Sequence, residues 1–269
     1  MEIVSLVIFE ALTDLGVECC LSTDVDRLNE SSWLLFVSMF DRIQTPKHYI
    51  VYQTEPYMEG EQEDSLYFIF LKKAIQVWDY SQVNCDVLRK RGLDCLYVPF
   101  CYSRCMEIWN MPKDTPGDRP IDVLFIGNTT DHREKIIQNL SEFLSKNGKT
   151  SDFFMGSTLR GLEREKRIMS AKIHLVLQKT LDYSQFPQDI SRIYLLAAKK
   201  CFMIRENFFS TLDSVEIAAN VDEIKLKIMK FLESPDLIEQ NVEKVYNEAK
   251  SKTLVEVFTN LKDRLALIG

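Results

Sequence analysis

One feature constrains the fold of this chain more than any other: strand-like apolar runs alternate with helix-length segments, stop once, and start again. Apolar spacing and a Gly stop predict an opening helix over about Ser5 to Leu15. The strand-like "VECCLS", "WLLFVS", "HYIVYQ", "IQVWDY" and "CLYVPF" follow, with helix-like "DSLYFIFLKKA" and "SQVNCDVLRKRG" among them. Alternation at these lengths implies a parallel sheet with crossover helices. The segment "YSRCMEIWNMPKDTPGDRP" then holds three of the eight prolines and no periodicity, which reads as a linker.

From Ile121 the alternation resumes. Strand "IDVLFIG" leads into a helix over Asp131 to Lys146, then strand "SDFFMG", helix "LRGLEREKRIMSA", strand "IHLVLQ", helix "DISRIYLLAAKK" and strand "CFMIRE". A short strand "SVEIAA" and three helices complete the chain. The expected fold class is α/β: two Rossmann-like domains facing across a cleft, with a helical C-terminus. The boundaries are 1–105, a linker at 106–120, and 121–269.

Charge divides along the same line. Residues up to Asp118 carry 10 Lys and Arg against 19 Asp and Glu, and the remainder 23 against 21. The second part is therefore the better place for an anion. The overall charge of -7 disfavours nucleic acid as a partner, because phosphate neutralisation needs a basic surface. Apolar runs are far shorter than the roughly 18 to 20 residues that span a bilayer, and no basic segment precedes one at Met1. The expected compartment is the cytoplasm. Seven scattered cysteines read as buried thiols, and Cys101 with Cys105 lacks the second ligand pair that zinc requires.

In open parallel sheets ligands bind beyond the carboxyl ends of the strands. Those ends present Glu55 and Asp79 in the first half, and Gly127, Asn128, Gly156, Gln178 and Glu206 in the second. Only nine glycines occur and neither phosphate-loop fingerprint appears, so a diphosphate would meet helix N-termini instead. The loop "LDYSQFPQDISR" supplies Ser184 and, one turn into the next helix, Arg192, whose fork suits phosphate oxygens. Glu55 and Asp79 are the candidate proton acceptors, although each also suits a capping or turn role. His174 inside an apolar strand reads as a core residue, while His132 in a first helical turn shows no partner in sequence. The "DVD" at Asp24 to Asp26 could hold a divalent cation or form a polar turn.

The segments "YIVYQTEPY", "VWDYSQVNCDVLRKRGLDCLYVPF", "DVLFIGNTTDHREKIIQNL", "RIMSAKIHLVLQ" and "DISRIYLLAAKKCFMIRE" resemble, in order, the blocks of small glycosyltransferases of GT-B architecture. Similar proteins occur in bacteria and large DNA viruses, where the compartment would be the host cytoplasm. The resemblance implies transfer of a sugar from a nucleotide-sugar donor, UDP-linked by frequency, to a hydroxyl on a glycan or glycoprotein, with no obligatory metal or other cofactor. It matches Gly127, Asn128 and Arg192 to donor-binding positions and Glu55 and Asp79 to polar rim positions expected to be catalytic; Gly156, Gln178, Ser184 and Glu206 join the expected donor site from the reading of the strand ends and the loop before Arg192. The chain departs from the family in lacking a clear first strand with its glycine loop and the paired glutamates of many retaining members. A non-catalytic nucleotide-sugar-binding protein and a nucleotide-sugar epimerase fit the same architecture.

Overall fold

The computed structural model describes residues 2–22, 34–37, 48–54, 65–110, 119–156, 159–179, 190–208 and 210–265. Its elements run α1 (Glu2–Asp14), β1 (Leu34–Val37), β2 (Tyr49–Gln53), α2 (Leu66–Lys73), β3 (Gln76–Asp79), α3 (Gln82–Lys90) and β4 (Cys95–Tyr97). Then come α4 (Cys105–Ile108), β5 (Ile121–Gly127), α5 (Asp131–Lys146), β6 (Ser151–Met155), α6 (Gly161–Met169), β7 (Ala171–Val176) and α7 (Ile190–Ala198). The last elements are β8 (Met203–Glu206), β9 (Glu216–Ala218), α8 (Val221–Leu232), α9 (Pro235–Lys250) and α10 (Leu254–Asn260). The fold is mixed α/β, with two sheets whose strand pairs are all parallel.

The chain forms two compact units: residues 1–103 with 253–269, and residues 104–252. The sequence pattern assigns 121–269 to one domain and 106–120 to a linker. In the structure the last segment joins the first unit, and residues 104–110 pack into the second. Lys199 Nζ donates to Trp109 O at 2.7 Å, and Tyr246 OH to Glu107 Oε1 at 2.7 Å. Lys199 also pairs with Glu165, both side chains being fully buried. None of these contacts leaves a sequence signature, because the partners lie far apart along the chain.

In the first unit the sheet order is β1-β2-β3-β4. Every residue of β2 and β3 is buried, as parallel strands covered on both faces require. Tyr49, Val51, Val77 and Cys95 pack with Phe68 and Leu71 of α2 and Cys85 and Leu88 of α3. Trp78 points elsewhere, its ring 5.3 Å from that of Phe258 on α10. Gln76 Nε2 donates to Arg264 O at 2.8 Å across 188 residues, so the C-terminal segment completes this core. The expected strand "VECCLS" does not form. Val17 to Ser22 have no ladder partner among the described residues, and Leu21 is 48% exposed. An apolar run without a neighbour to pair its backbone is not a strand.

In the second unit the order is β6-β5-β7-β8-β9. Residues 123 and 125 face α5 and α8, in a core with Ile136, Leu140, Ile224 and Ile228. Leu124 and Ile126 face the other way, toward α6 and α7. Side chains are sorted by capping as well as by period. Thr130 accepts from Arg133 N to start α5, while at α8 the cap Asn220 accepts from Glu223 N and the Glu223 carboxylate accepts from Ala219 N, one residue before the cap. His174 is a core residue, with Nδ1 3.0 Å from Phe202 O and Nε2 2.9 Å from Ile168 O. Among the described residues no helix is long and apolar enough to cross a membrane.

Two outcomes follow from this packing. Phe258→Ala should cost about 3–5 kcal/mol, seen as a lower urea midpoint, because it opens a cavity against Trp78. Burial pulls the His174 imidazole down from 6.5 to about 4, against the two carbonyls that favour its charged form. The unfolded chain therefore takes up a proton first as the pH falls. The contribution of the neutral ring is complete above 6.5 and is lost toward 4. Urea midpoints measured across that window should fall less in His174→Gln than in the wild type.

Candidate functional site

The strand order of the second unit reverses direction at β5, with β6 on one side and β7 on the other. That reversal is the topological switch point, where crossovers diverge and open a crevice at the carboxyl ends. The chain emerges there as Gly127-Asn128 after β5 and Leu177-Gln178 after β7. Arg133, in the first turn of α5, is 3% exposed and ties the two ends together. Its Nη2 donates to Leu177 O at 2.7 Å, Nε to Gln178 O at 2.9 Å, and Nη1 to Asn128 O at 3.2 Å.

Gly127 has a packing reason to be glycine. A Cβ there would stand 2.6 Å from the Phe125 ring and 3.2 Å from Arg133 Nη1. The missing side chain lets the guanidinium lie over Phe125, 5.5 Å from the ring centroid. Gly156, at the end of β6, has a φ of 155°, and its N–H donates to Gly127 O at 2.9 Å. It thereby fixes the third loop of this edge.

Glu206 ends β8 and turns toward α5. Its Oε2 accepts Gln178 N–H at 2.6 Å and its Oε1 lies 2.8 Å from His132 Nε2. The Gln178 amide Nε2 donates to Asn207 O at 3.2 Å. The structure thus brings Gly127, Asn128, Gln178 and Glu206 together and adds His132 and Arg133, whose roles the sequence pattern does not show. Arg133 could have been suspected only as a cation three residues past a Thr cap.

Arg192 lies on the opposite face of the same sheet from Glu206. It lines a pocket on the α6 and α7 face of the sheet, with Arg164, His174, Leu124, Ile126 and Ile168. Two guanidinium groups over apolar walls make this the more cationic flank of the edge. Arg205 also points to the face away from Glu206, over Phe208 at 5.3 Å, and donates to Phe208 O. Burial lowers its basicity.

Asp79 has a local task. It is fully buried; Oδ1 accepts Ser81 N–H at 2.7 Å, and both oxygens meet Asn84 Nδ2 at 3.0 to 3.1 Å. Burial pushes its carboxyl well above the usual range, while the Ser81 and Asn84 hydrogen bonds oppose this. The N-cap of α3 is Ser81, which accepts from Asn84 N at 3.3 Å. Glu55, Ser184 and the Asp24 to Asp26 pair lie outside the described residues. Among the described residues no three His, Cys, Asp or Glu side chains cluster so as to hold a metal ion. The seven cysteines are free thiols; Cys85, Cys95, Cys101 and Cys201 are buried.

No family model and no curated protein matches the sequence. Solved structures do. An alpha-glucosyltransferase in complex with UDP and a 13-mer DNA containing a HMU base aligns at TM-score 0.53 and 12% identity, over 83% of this chain and 72% of that one. An alpha-glucosyltransferase with UDP-glucose and DNA containing an abasic site aligns at 0.48 and 11%, over 80% and 72%. AviGT4, a glycosyltransferase involved in Avilamycin A biosynthesis, aligns at 0.45 and 12%, over 81% and 68%. At such identities the first likeness establishes a shared fold.

That likeness overturns one expectation. A protein of this fold is solved holding DNA beside UDP, so net charge does not exclude nucleic acid, and the glycan or glycoprotein acceptor has no support. The physical reason is that phosphate contacts depend on local charge, whereas -7 is a sum over the whole surface.

Arg133→Met should leave three carbonyls without their donor. Urea unfolding should show a loss of about 2–4 kcal/mol, and hydrogen exchange should speed up at the amides of residues 177 and 178.

Proposed function

We propose that this protein is a glycosyltransferase that binds a UDP-linked hexose at the carboxyl edge of its second unit and moves the sugar to an acceptor hydroxyl. The observation that carries this reading is the fold shared with a glucosyltransferase that binds UDP. The site geometry supports it. Gly127, Asn128 and Gly156 bring backbone close to the crevice, Gln178 and Glu206 offer polar groups, and Arg192 with Arg164 offers positive charge.

Breaking the glycosidic bond leaves negative charge on the nucleoside diphosphate. Arginines and the first turn of a helix stabilise that charge without a metal, and metal independence is part of the proposal. Asp79 is taken up by its turn and is not assigned as base. DNA carrying hydroxylated bases belongs among the acceptors to be tried, given the complex that the shared fold supports. A nucleotide-sugar binder without catalysis is the second reading, and the burial of Asp79 is the observation on its side.

Calorimetric titration with UDP, GDP, TDP and their sugars, in EDTA, tests the donor assignment. UDP should bind, and Arg192→Ala should weaken it roughly 10- to 100-fold, the value of a hydrogen bond to a charged group. Binding of no nucleotide, or equal binding by the variant, would remove the donor site from this edge.

A further inference from the structure

The donor reading leaves His132 without a role, yet the structure gives it a defined partner. Its Nε2 lies 2.8 Å from Glu206 Oε1, and the other carboxylate oxygen is held by Gln178 N–H at 2.6 Å. Glu206 is 8% exposed, and the backbone bond fixes the angle at which it meets the ring. The backbone of Gln178 is in turn pinned by Arg133 through its carbonyl. A chain of four groups therefore sets the orientation of one imidazole.

That orientation fixes the tautomer. A neutral imidazole bonded to a carboxylate must carry its proton on Nε2, which leaves Nδ1 as the nitrogen with the lone pair. Among the described residues Nδ1 has no hydrogen-bond partner. The side chain is 23% exposed, at the first turn of α5 and beside the switch point. A carboxylate that holds one ring nitrogen while the other keeps its lone pair without a partner among the described residues is the arrangement that makes histidine a proton acceptor.

We propose that His132 is the general base of this site, that Glu206 is its positioning residue, and that the proton removed belongs to a hydroxyl nucleophile attacking the anomeric carbon of the nucleotide sugar. This rests on the glycosyltransferase reading above. The nucleophile's O–H proton passes to Nδ1 as its oxygen bonds to the anomeric carbon. The bond from that carbon to the diphosphate oxygen breaks, and its electron pair leaves with the nucleoside diphosphate. Glu206 faces the imidazolium until the proton passes to solvent. Direct displacement inverts the anomeric centre. Water can take the place of the acceptor, so slow hydrolysis of the donor follows from the same geometry.

Acceptor-free release of UDP from UDP-glucose is therefore the assay, run beside calorimetric binding of UDP. His132→Gln should keep its affinity for UDP within about twofold while kcat falls roughly 100- to 10,000-fold, the range for a lost general base. Added imidazole should restore part of the turnover of His132→Ala, which a structural tie between α5 and β8 would not allow. Glu206→Gln should lower kcat by a larger factor than it weakens UDP binding. Unchanged turnover in His132→Gln would overturn the proposal. Wild-type protein that binds UDP but releases none from UDP-glucose would overturn it while leaving the donor site intact. Protein that does not bind UDP would overturn the donor reading, and this proposal with it.

Discussion

The guanidinium of Arg133 is the interaction on which the candidate site depends. Parallel strands that end side by side leave carbonyls pointing into a crevice, and a buried carbonyl without a donor costs about 1–3 kcal/mol. Arg133 meets three of them from two strand ends at once. It can enter only because residue 127 has no side chain and Phe125 offers a ring face. Lysine has no such fork of donors, and a larger residue at 127 would push the fork away. The positions of Gln178, Glu206 and His132 follow from this tie, since each is fixed to a loop or helix that Arg133 holds.

Polar groups throughout the molecule are placed by such cross-chain bonds more than by their own elements. Gln76 reaches Arg264, Glu165 reaches Lys199, and Glu248 accepts Asp213 and Ser214 N–H groups at 2.8 Å each. Glu248 is held down at about 2, where burial opposes and Lys252 with the two amides prevails. The two faces of the second sheet carry different chemistry as a result. One has a carboxylate and an imidazole; the other has arginines above apolar walls.

Much of this was legible beforehand. The helix over Asp131 to Lys146 forms with the bounds expected, and β5 to β8 fall where the apolar runs do. "VECCLS" failed because alternating residues describe a surface that could pair, and pairing needs a neighbour. Asp79 was legible as a rim residue from its place after "IQVW". Its burial and its partner Asn84 depend on how tightly α3 closes over the strand end. Net charge misled about nucleic acid because it averages over faces that a partner meets one at a time.

The sequence by itself determined which residues form strands and helices in most of the chain, the parallel connectivity, and the set of side chains at the strand ends. Those follow from local periodicity, capping and connection length. Tertiary structure decided strand order, the return of the last helix to the first unit, and which rim residues meet. Order places β5 between β6 and β7, so that Asn128 and Gln178 share a guanidinium and His132 finds Glu206 74 residues away. No local pattern encodes a contact of that range, because its free energy exists only once the intervening sheet has formed.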